Sequence, residues 1–526
     1  MRNTKKFWLP IATMLFATGC INEVIDNPQP NQPENTTNEY YASFDIVLPT
    51  ASGTKADPDF EEGEESEYAV NNAWVYIFEG KTEAEATFLS SGEVNLGDWQ
   101  SGENDVKSKS TVTVKLSDLS LSSDSKYYAL VIINKPQDGI KIPSDKITFS
   151  EWNEQTLSTW GNTDSFIMTN SPYYEENEGI KTLKYLYEVT KENITEAPKP
   201  AITPAATIFV QRMAAKVKVK NKANNWEEMV PKGNSSDKVN LTGWALDVTN
   251  TVEYPVQNVS LILDEINQFE TGTSYSHFFT NKGNNNEISH IWWAKDPNYY
   301  YKDKNEDTYK FGFSKLNQES NFKDLTNEKP EDIDYCLENT MDFENMTQDQ
   351  TTRVVFKGQY FINKGEKAKS FIVCTSNDKR ITIEEEQIKE NKPAGTYTLK
   401  NLIVEKDLNS IKSSLGNVPE EAEVVYYKDG IVYYSAIIKH FNPNNETKWE
   451  PDTDKKYSIK HTGRFGVLRN NVYEINVNSI SGYGSPTIPK ISGNPNDGEE
   501  EKAIYNLDVT INVLKWAKRG YDYDLK

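Results

Sequence analysis

The segment Tyr505 to Trp516, YNLDVTINVLKW, alternates without a break: Tyr505, Leu507, Val509, Ile511 and Val513 are apolar, and Asn506, Asp508, Thr510 and Asn512 between them are polar. A two-residue period of this kind puts one face in a core and the other in water, which is the signature of a half-buried β-strand. A strand cannot satisfy its own backbone, so it must add to a sheet. The same pattern stands near the other end of the chain in YYASFDIVLP, where Tyr40, Ala42, Phe44, Ile46 and Leu48 share one face and Tyr41, Ser43 and Asp45 the other. Two strands of equal length and alternation, at opposite ends of one chain, could each fill the same slot in a sheet.

The stretches between them read mostly as strands. AVNNAWVYIFEG (69–80), TVTVKLSDL (111–119), KYYALVIINKP (126–136), IFVQRMAAKVKVK (208–220), NLTGWALDVTN (240–250), NVSLILDEI (258–266), TRVVFKGQYFI, SFIVCTS, GIVYYSAIIKHFN and NNVYEINVNSI are short, rich in aromatic and β-branched residues, and separated by turns. Residues 150–160, SEWNEQTLSTW, could form a helix. A length of 526 residues exceeds one domain. The absence of a sustained 3.6-residue period excludes a helical bundle. The expected fold is all-β, two β-sandwich domains with few short helices. A Pro-rich joint at 193–206 separates them.

The first twenty residues have the form of a bacterial lipoprotein signal. Arg2, Lys5 and Lys6 precede a short apolar run that closes on Ala17-Thr18-Gly19-Cys20. Cys20 is the expected lipidation site, so the chain is expected to be exported and tethered by lipid. The expected organisation is a signal peptide over 1–20, a stalk plus a removable first strand over 21–55, an N-terminal sandwich over 56–207, a C-terminal sandwich over 208–480, and a flexible leader with a terminal strand over 481–526. No Lys or Arg occurs between Cys20 and Lys55. One trypsin-like cut between Lys55 and Ala56 would therefore free the stalk and first strand as one piece. The leader over 481–501 could span about 70 Å when extended.

A net charge of −22 argues against nucleic acid as a partner, because a phosphate-binding surface needs concentrated Lys and Arg. His277, His290, His440 and His461 stand in no metal-ligand spacing. Neither a nucleophile elbow nor a phosphate-cradling glycine loop occurs. Asp303, Asn305 and Asp307 begin like a calcium loop, but Thr308 and Ser314 replace its required Gly and Glu. The expectation is no cofactor, no metal and no enzyme activity. Cys336 and Cys374 could be bridged or could be buried singly. Trp292, Trp293, Tyr299, Tyr300 and Tyr301 form the one aromatic cluster that could stack on a ligand.

Several of these elements together resemble the Bacteroidales fimbrillins, the subunits of type V pili, in particular shaft subunits of the short-fimbria type. They are the lipobox, the strand before SGTKAD, the AWVYIF strand, VQRMAAKVKV, GWALDVTNT, RNNVYEINVNSI and YNLDVTINVLKW. The resemblance implies two transthyretin-like sandwiches, delivery to the cell outer membrane as a lipoprotein, and cleavage by a trypsin-like protease that removes the first strand. It further implies that a neighbour's terminal strand fills the vacated groove, with self-association into a cell-surface fimbria alongside anchor and tip subunits. By position, Lys55 and Ala56 match the processing site, residues 40–48 the discarded strand, and residues 505–514 the donor, with Trp516 just beyond. The family usually has Arg where this chain has Lys55. The alternative is a surface lipoprotein or tip adhesin that binds glycan or host protein without polymerising.

Overall fold

β1 (Tyr40–Val47) alternates as expected, and its even-numbered side chains Ala42, Phe44 and Ile46 enter the core of the first half of the molecule. The other long strands there are β2 (Ala73–Gly80), β3 (Thr87–Glu93), β4 (Lys109–Leu116), β5 (Lys126–Ile133) and β6 (Ala206–Arg212). A computed structural model describes residues 39–48, 63–96, 109–116, 121–122, 124–141, 143, 146–178, 180–196, 203–221, 226–227, 229–231, 236–260, 278, 291–299, 311–317, 320–327, 331–363, 365–441, 447–450, 452–490 and 507–515. Expectations for Cys20, Lys55, Ala56, Tyr300, Tyr301, Tyr505 and Trp516 fall outside the described residues, as do those for His277, His290 and the loop at Asp303.

The front core lies between two layers. One is formed by β4, β1 and the first residues of β6; the other by the last residues of β6, Met168–Asn170, β5, β2 and β3. β6 belongs to both, pairing in parallel with β1 through Ala206–Phe209 and antiparallel with Met168–Asn170 through Val210–Arg212. The second layer is buried on both faces. Its outer face, with Tyr76, Phe78, Leu130 and Ile132, is covered by the short helix Phe149–Asn153 through Phe149 and Trp152. This double burial explains why KYYALVII carries a nearly continuous apolar run rather than an alternating one.

The back half begins with β7 (Ala215–Asn221) and continues through β8 (Lys238–Asp247), β9 (Arg353–Ile362), β10 (Ile431–Ile437), β11 (Asn471–Ile480) and β12 (Leu507–Lys515). One layer runs Ile333–Cys336, β7, β11, β12; the other has β9 between β8 and β10. Their inner faces meet in a core that includes Trp244, Phe356, Tyr434, Tyr473 and Ile475. The chain passes from the front layers to the back at Met213–Ala214, six residues beyond the expected division at 207/208, because β6 still pairs with β1. Most of the secondary structure is strand, and the fold is all-β. One helix not anticipated, Glu405–Ser414, caps a smaller sheet through Leu408 and Ile411.

The described residues belong to one compact unit, Asn38–Lys526. A polar knot sits where segment Glu253–Gln257 lies against both halves. Leu157 and Glu253 exchange backbone hydrogen bonds, Asn153 holds Val256 through both its amide groups, and Arg469 donates to the carbonyls of Tyr254 and Pro255. Arg469 also meets Glu253 at 3.2 Å and Glu338 at 3.7 Å, all three fully buried. Burial pushes Glu253 up to about 8 against the pull of Arg469, and burial pushes Asp296, also in this knot, up to about 7. Folded-state values above the unfolded carboxylate range mean that the native state binds these protons more tightly. Their stabilising contribution is complete below about pH 4.5 and is lost as pH rises through about 7–8. Melting temperature is therefore expected to fall between pH 5 and 8, and Glu253→Gln to flatten that slope in a calorimetric pH series. An unchanged slope would remove this assignment.

Candidate functional site

The first and terminal strands occupy very different seats. β1 is held along both edges. It pairs over its whole length with β4, from Tyr40 opposite Leu116 to Val47 opposite Lys109, and on its other side with β6 and with Ile194–Thr195. Phe44 and Ile46 have no exposed surface, and Ala42, Val47 and Leu48 are all buried. The polar side chains between them are also covered: Ser43 meets the Thr113 hydroxyl at 3.2 Å, and Asp45 accepts from Thr111 Oγ1 at 2.5 Å. Sequence alternation places these two in water, whereas here a β4 threonine satisfies each. Only Tyr40 and Tyr41 at the start are partly exposed, beside an exposed Lys115–Glu39 pair.

β12 is held along one edge. It pairs antiparallel with β11, Ile475 opposite Ile511 and Asn471 opposite Lys515, with an irregularity between Val477 and Ser479. Val509 and Ile511 are half-buried against the back core, and Asp508, Thr510 and Asn512 are exposed. The polar face makes side-chain bridges to β11: Asn478 to Thr510 at 2.8 Å, Ser479 to Asp508 at 3.2 Å and Asn512 to Glu474 at 3.4 Å. Leu507 and Val513 take their expected register places opposite Ile480 and Tyr473. In this state the terminal strand completes its own back sheet.

Burying Phe44, Ile46, Val47 and Leu48 at roughly 1.5–3 kcal/mol each contributes on the order of 6–12 kcal/mol before entropy. Among the described side chains of β12, Val509 and Ile511 are only half-buried, so each contributes less than a fully buried residue of β1. Departure of β1 opens a two-edged slot into the core, while departure of β12 uncovers one sheet edge.

Between these seats lies a buried clamp that sequence reading did not find. Glu67, in the short 3-10 turn Glu65–Tyr68, meets Lys216 Nζ at 2.8 Å and accepts from the Tyr335 hydroxyl at 2.6 Å. Its backbone carbonyl accepts from Arg212 Nε at 2.7 Å. Arg212 and Lys216 are two of the three basic residues of VQRMAAKVKV, so the motif marks the crossing between halves. Locally Glu67 only closes its own turn, accepting from the Glu64 backbone N–H at 2.9 Å, and sequence could not reveal the clamp because Arg212, Lys216 and Tyr335 lie more than 140 positions away.

The expected leader also differs in part. Ser481–Lys490 lies on the back half rather than free, with Tyr483 among Tyr360, Phe371 and Tyr427. Of the candidate ligand aromatics, Trp293 and Tyr299 are core residues joined by an indole-to-hydroxyl hydrogen bond of 3.2 Å, and Trp292 is half-buried. The rings of Trp293 and Tyr299 are thus spent on packing and present no face to solvent. His440 is buried between the Tyr473 hydroxyl and the Trp292 carbonyl, and His461 is buried beside Asp454. Cys336 and Cys374 are free, buried thiols. Among the described residues no His, Cys, Asp or Glu group is placed to hold a metal.

Residues 425–522 match the family described as "Major fimbrial subunit protein type IV, Fimbrillin, C-terminal". That span contains β10, β11, the Ser481–Lys490 segment and β12. No curated protein matches the sequence. Similar solved structures include two proteins provisionally assigned to cell adhesion. One is from Parabacteroides distasonis, at 10% identity and TM-score 0.39, covering 90% of this chain and 96% of that one. The other is from Bacteroides eggerthii, at 11% identity and TM-score 0.35, covering 91% and 98%. A fimbrial assembly protein from Parabacteroides distasonis aligns at 10% identity and TM-score 0.25, covering 65% and 99%.

Proposed function

We propose, from a C-terminal region that carries the fimbrillin pattern, that this chain is a structural subunit of a cell-surface fimbria that polymerises by strand exchange. The observation that carries the proposal is the contrast of seats: a first strand embedded along both edges, and a terminal strand of the same alternation resting on one. An embedded strand does not leave on its own, so a cut of the chain is required, and Lys55–Ala56 lies just beyond β1. After the cut, the slot between β4 and β6 presents two unpaired ladders and an open apolar floor. A β-strand with alternate apolar residues is the complement of such a slot. Leu507, Val509, Ile511 and Val513 supply the same spacing as Ala42, Phe44, Ile46 and Leu48.

Reach is sufficient on revised terms. With Ser481–Lys490 fixed to the back half, sixteen residues separate Lys490 from Leu507 and span at most about 60 Å. A domain of this size is on the order of 40 Å across. Before the cut, lipid on Cys20 would hold the chain at the outer membrane; afterwards the neighbour, an anchor and a tip subunit would hold it in the fibre.

The test is the state of the mature surface protein. Mass measurement is expected to give an N-terminus at Ala56, and gels of unheated samples a ladder of multimers. Deletion of residues 505–526 is expected to leave export intact and abolish the ladder. A lipidated Cys20 terminus on an unladdered monomer would overturn the proposal.

A further inference from the structure

The segment Ser481–Lys490 looks like spacer in sequence, yet it is fastened at four points. Tyr483 packs 5.5 Å from the Tyr360 ring and 6.0 Å from Phe371, with the Arg380 guanidinium over its face. The Tyr427 hydroxyl donates to the Gly484 carbonyl at 2.9 Å. Ser485 and Tyr433 exchange two backbone hydrogen bonds of 2.8 Å. Finally Arg353 Nη2 donates to the buried Pro489 carbonyl at 2.6 Å, and Arg353 is itself locked to buried Asp247. Gly484 has φ +70°, and a Cβ there would lie 2.8 Å from the Tyr433 carbonyl oxygen, so the tight approach needs glycine.

These contacts reach Tyr360 and Arg353 of β9 and pair the segment with β10 at Tyr433. The chain that follows β11 is thus anchored to the back half as far as Lys490. We infer that Ser481–Lys490 is a tension-bearing strap: it takes up tension on the tail before that tension reaches β11. The inference rests on the strand-exchange reading for its use, because a subunit whose tail is held by a neighbour is pulled through this segment.

The strands behind the strap suit the same role. β11 runs parallel to β7, Lys216 beside Val472 and Asn221 beside Val477. β7 receives the chain from the front half at its N-terminal end, and the strap continues from the C-terminal end of β11. Pull from the tail, resisted by the front half, therefore slides the two strands past each other. All the ladder bonds then share the load instead of opening one at a time.

Single-molecule pulling on the chain from Ile21 to Lys526 tests this, with handles at Lys81→Cys and Glu500→Cys so that β12 is outside the loaded path. The strap is expected to yield as a separate step shorter than about 33 Å, the contour of ten residues at roughly 3.3 Å each less the distance it already spans, ahead of sheet unravelling. In Tyr483→Ala and in Ser485→Pro that step is expected at half the force or less, with the unpulled melting curve nearly unchanged. A wild-type record without the step, or variants yielding at wild-type force, would overturn the strap. Because these records come from monomers, they stand apart from assembly. If wild-type chains never form ladders while the step persists, it is the strand-exchange reading that fails, and fibres of Tyr483→Ala that survive sonication as wild type does would count against the strap.

Discussion

A chain that starts at Ala56 and stops at Lys490 will not keep its front half folded, and a synthetic peptide of residues 503–516 will restore it. The expectation follows from the size of what β1 contributes. The on the order of 6–12 kcal/mol of apolar burial estimated for Phe44, Ile46, Val47 and Leu48 is comparable to the whole stability of a domain, about 5–15 kcal/mol. The backbone of β4 loses its partner along eight residues, and β6 along four. Val112, Val114 and Ile208, now without exposed surface, would face water. Near-ultraviolet circular dichroism and amide exchange should show the loss in the front half while the back half, whose core shares little with β1, stays protected. Peptide addition should recover protection at β4 and β6 in a saturable way. A peptide with Val509 and Ile511 both changed to Asp should fail, because those positions would carry charge onto an apolar floor. A truncated chain as stable as the intact one, or recovery with the Asp peptide, would remove the exchange mechanism.

Much of the strand content was legible because strand signals are written locally. β2, β5 and β11 fall within stretches that read as strands, and β4 and β8 each begin two residues ahead of theirs. The alternation of β1 was also legible, but not the burial of its polar face, because Ser43 and Asp45 are matched by Thr113 and Thr111 some seventy residues away. The strap was read as spacer since Gly, Ser and Pro signal loops. Its one informative residue is Tyr483, whose partners Tyr360 and Phe371 come more than a hundred positions earlier. The burial of Trp293 and Tyr299 was hidden for the converse reason: residue type announces a flat, stackable surface, but only packing decides whether that surface is spent inside. Helix Glu405–Ser414 offers just Leu408 and Ile411 to its core, too few to establish a helical period by themselves.

The clamp at Glu67 gives the second large expected effect. Lys216 and Glu67 are each about 1% exposed in their side chains, and removing the carboxylate leaves an ammonium group buried against Tyr335 with its counter-charge gone. Breaking a buried pair from one side costs about 3–5 kcal/mol, whereas replacing both members by apolar groups is often close to neutral. Glu67→Ala should therefore lower the melting temperature by on the order of 10 °C, and Glu67→Met with Lys216→Met should recover most of that loss. The consequence reaches assembly, because Glu67 lies twelve residues beyond Lys55 and would remain after the cut. It pins the newly made end of the chain to Arg212 at the end of β6 and Lys216 on β7. A cut subunit with Glu67→Ala should then show its first residues, Ala56 onward, more open to a second protease than wild type does, and should incorporate into ladders more slowly. If the single variant melts within 2 °C of wild type, the clamp is not holding the two halves, and Arg212 and Lys216 need another explanation.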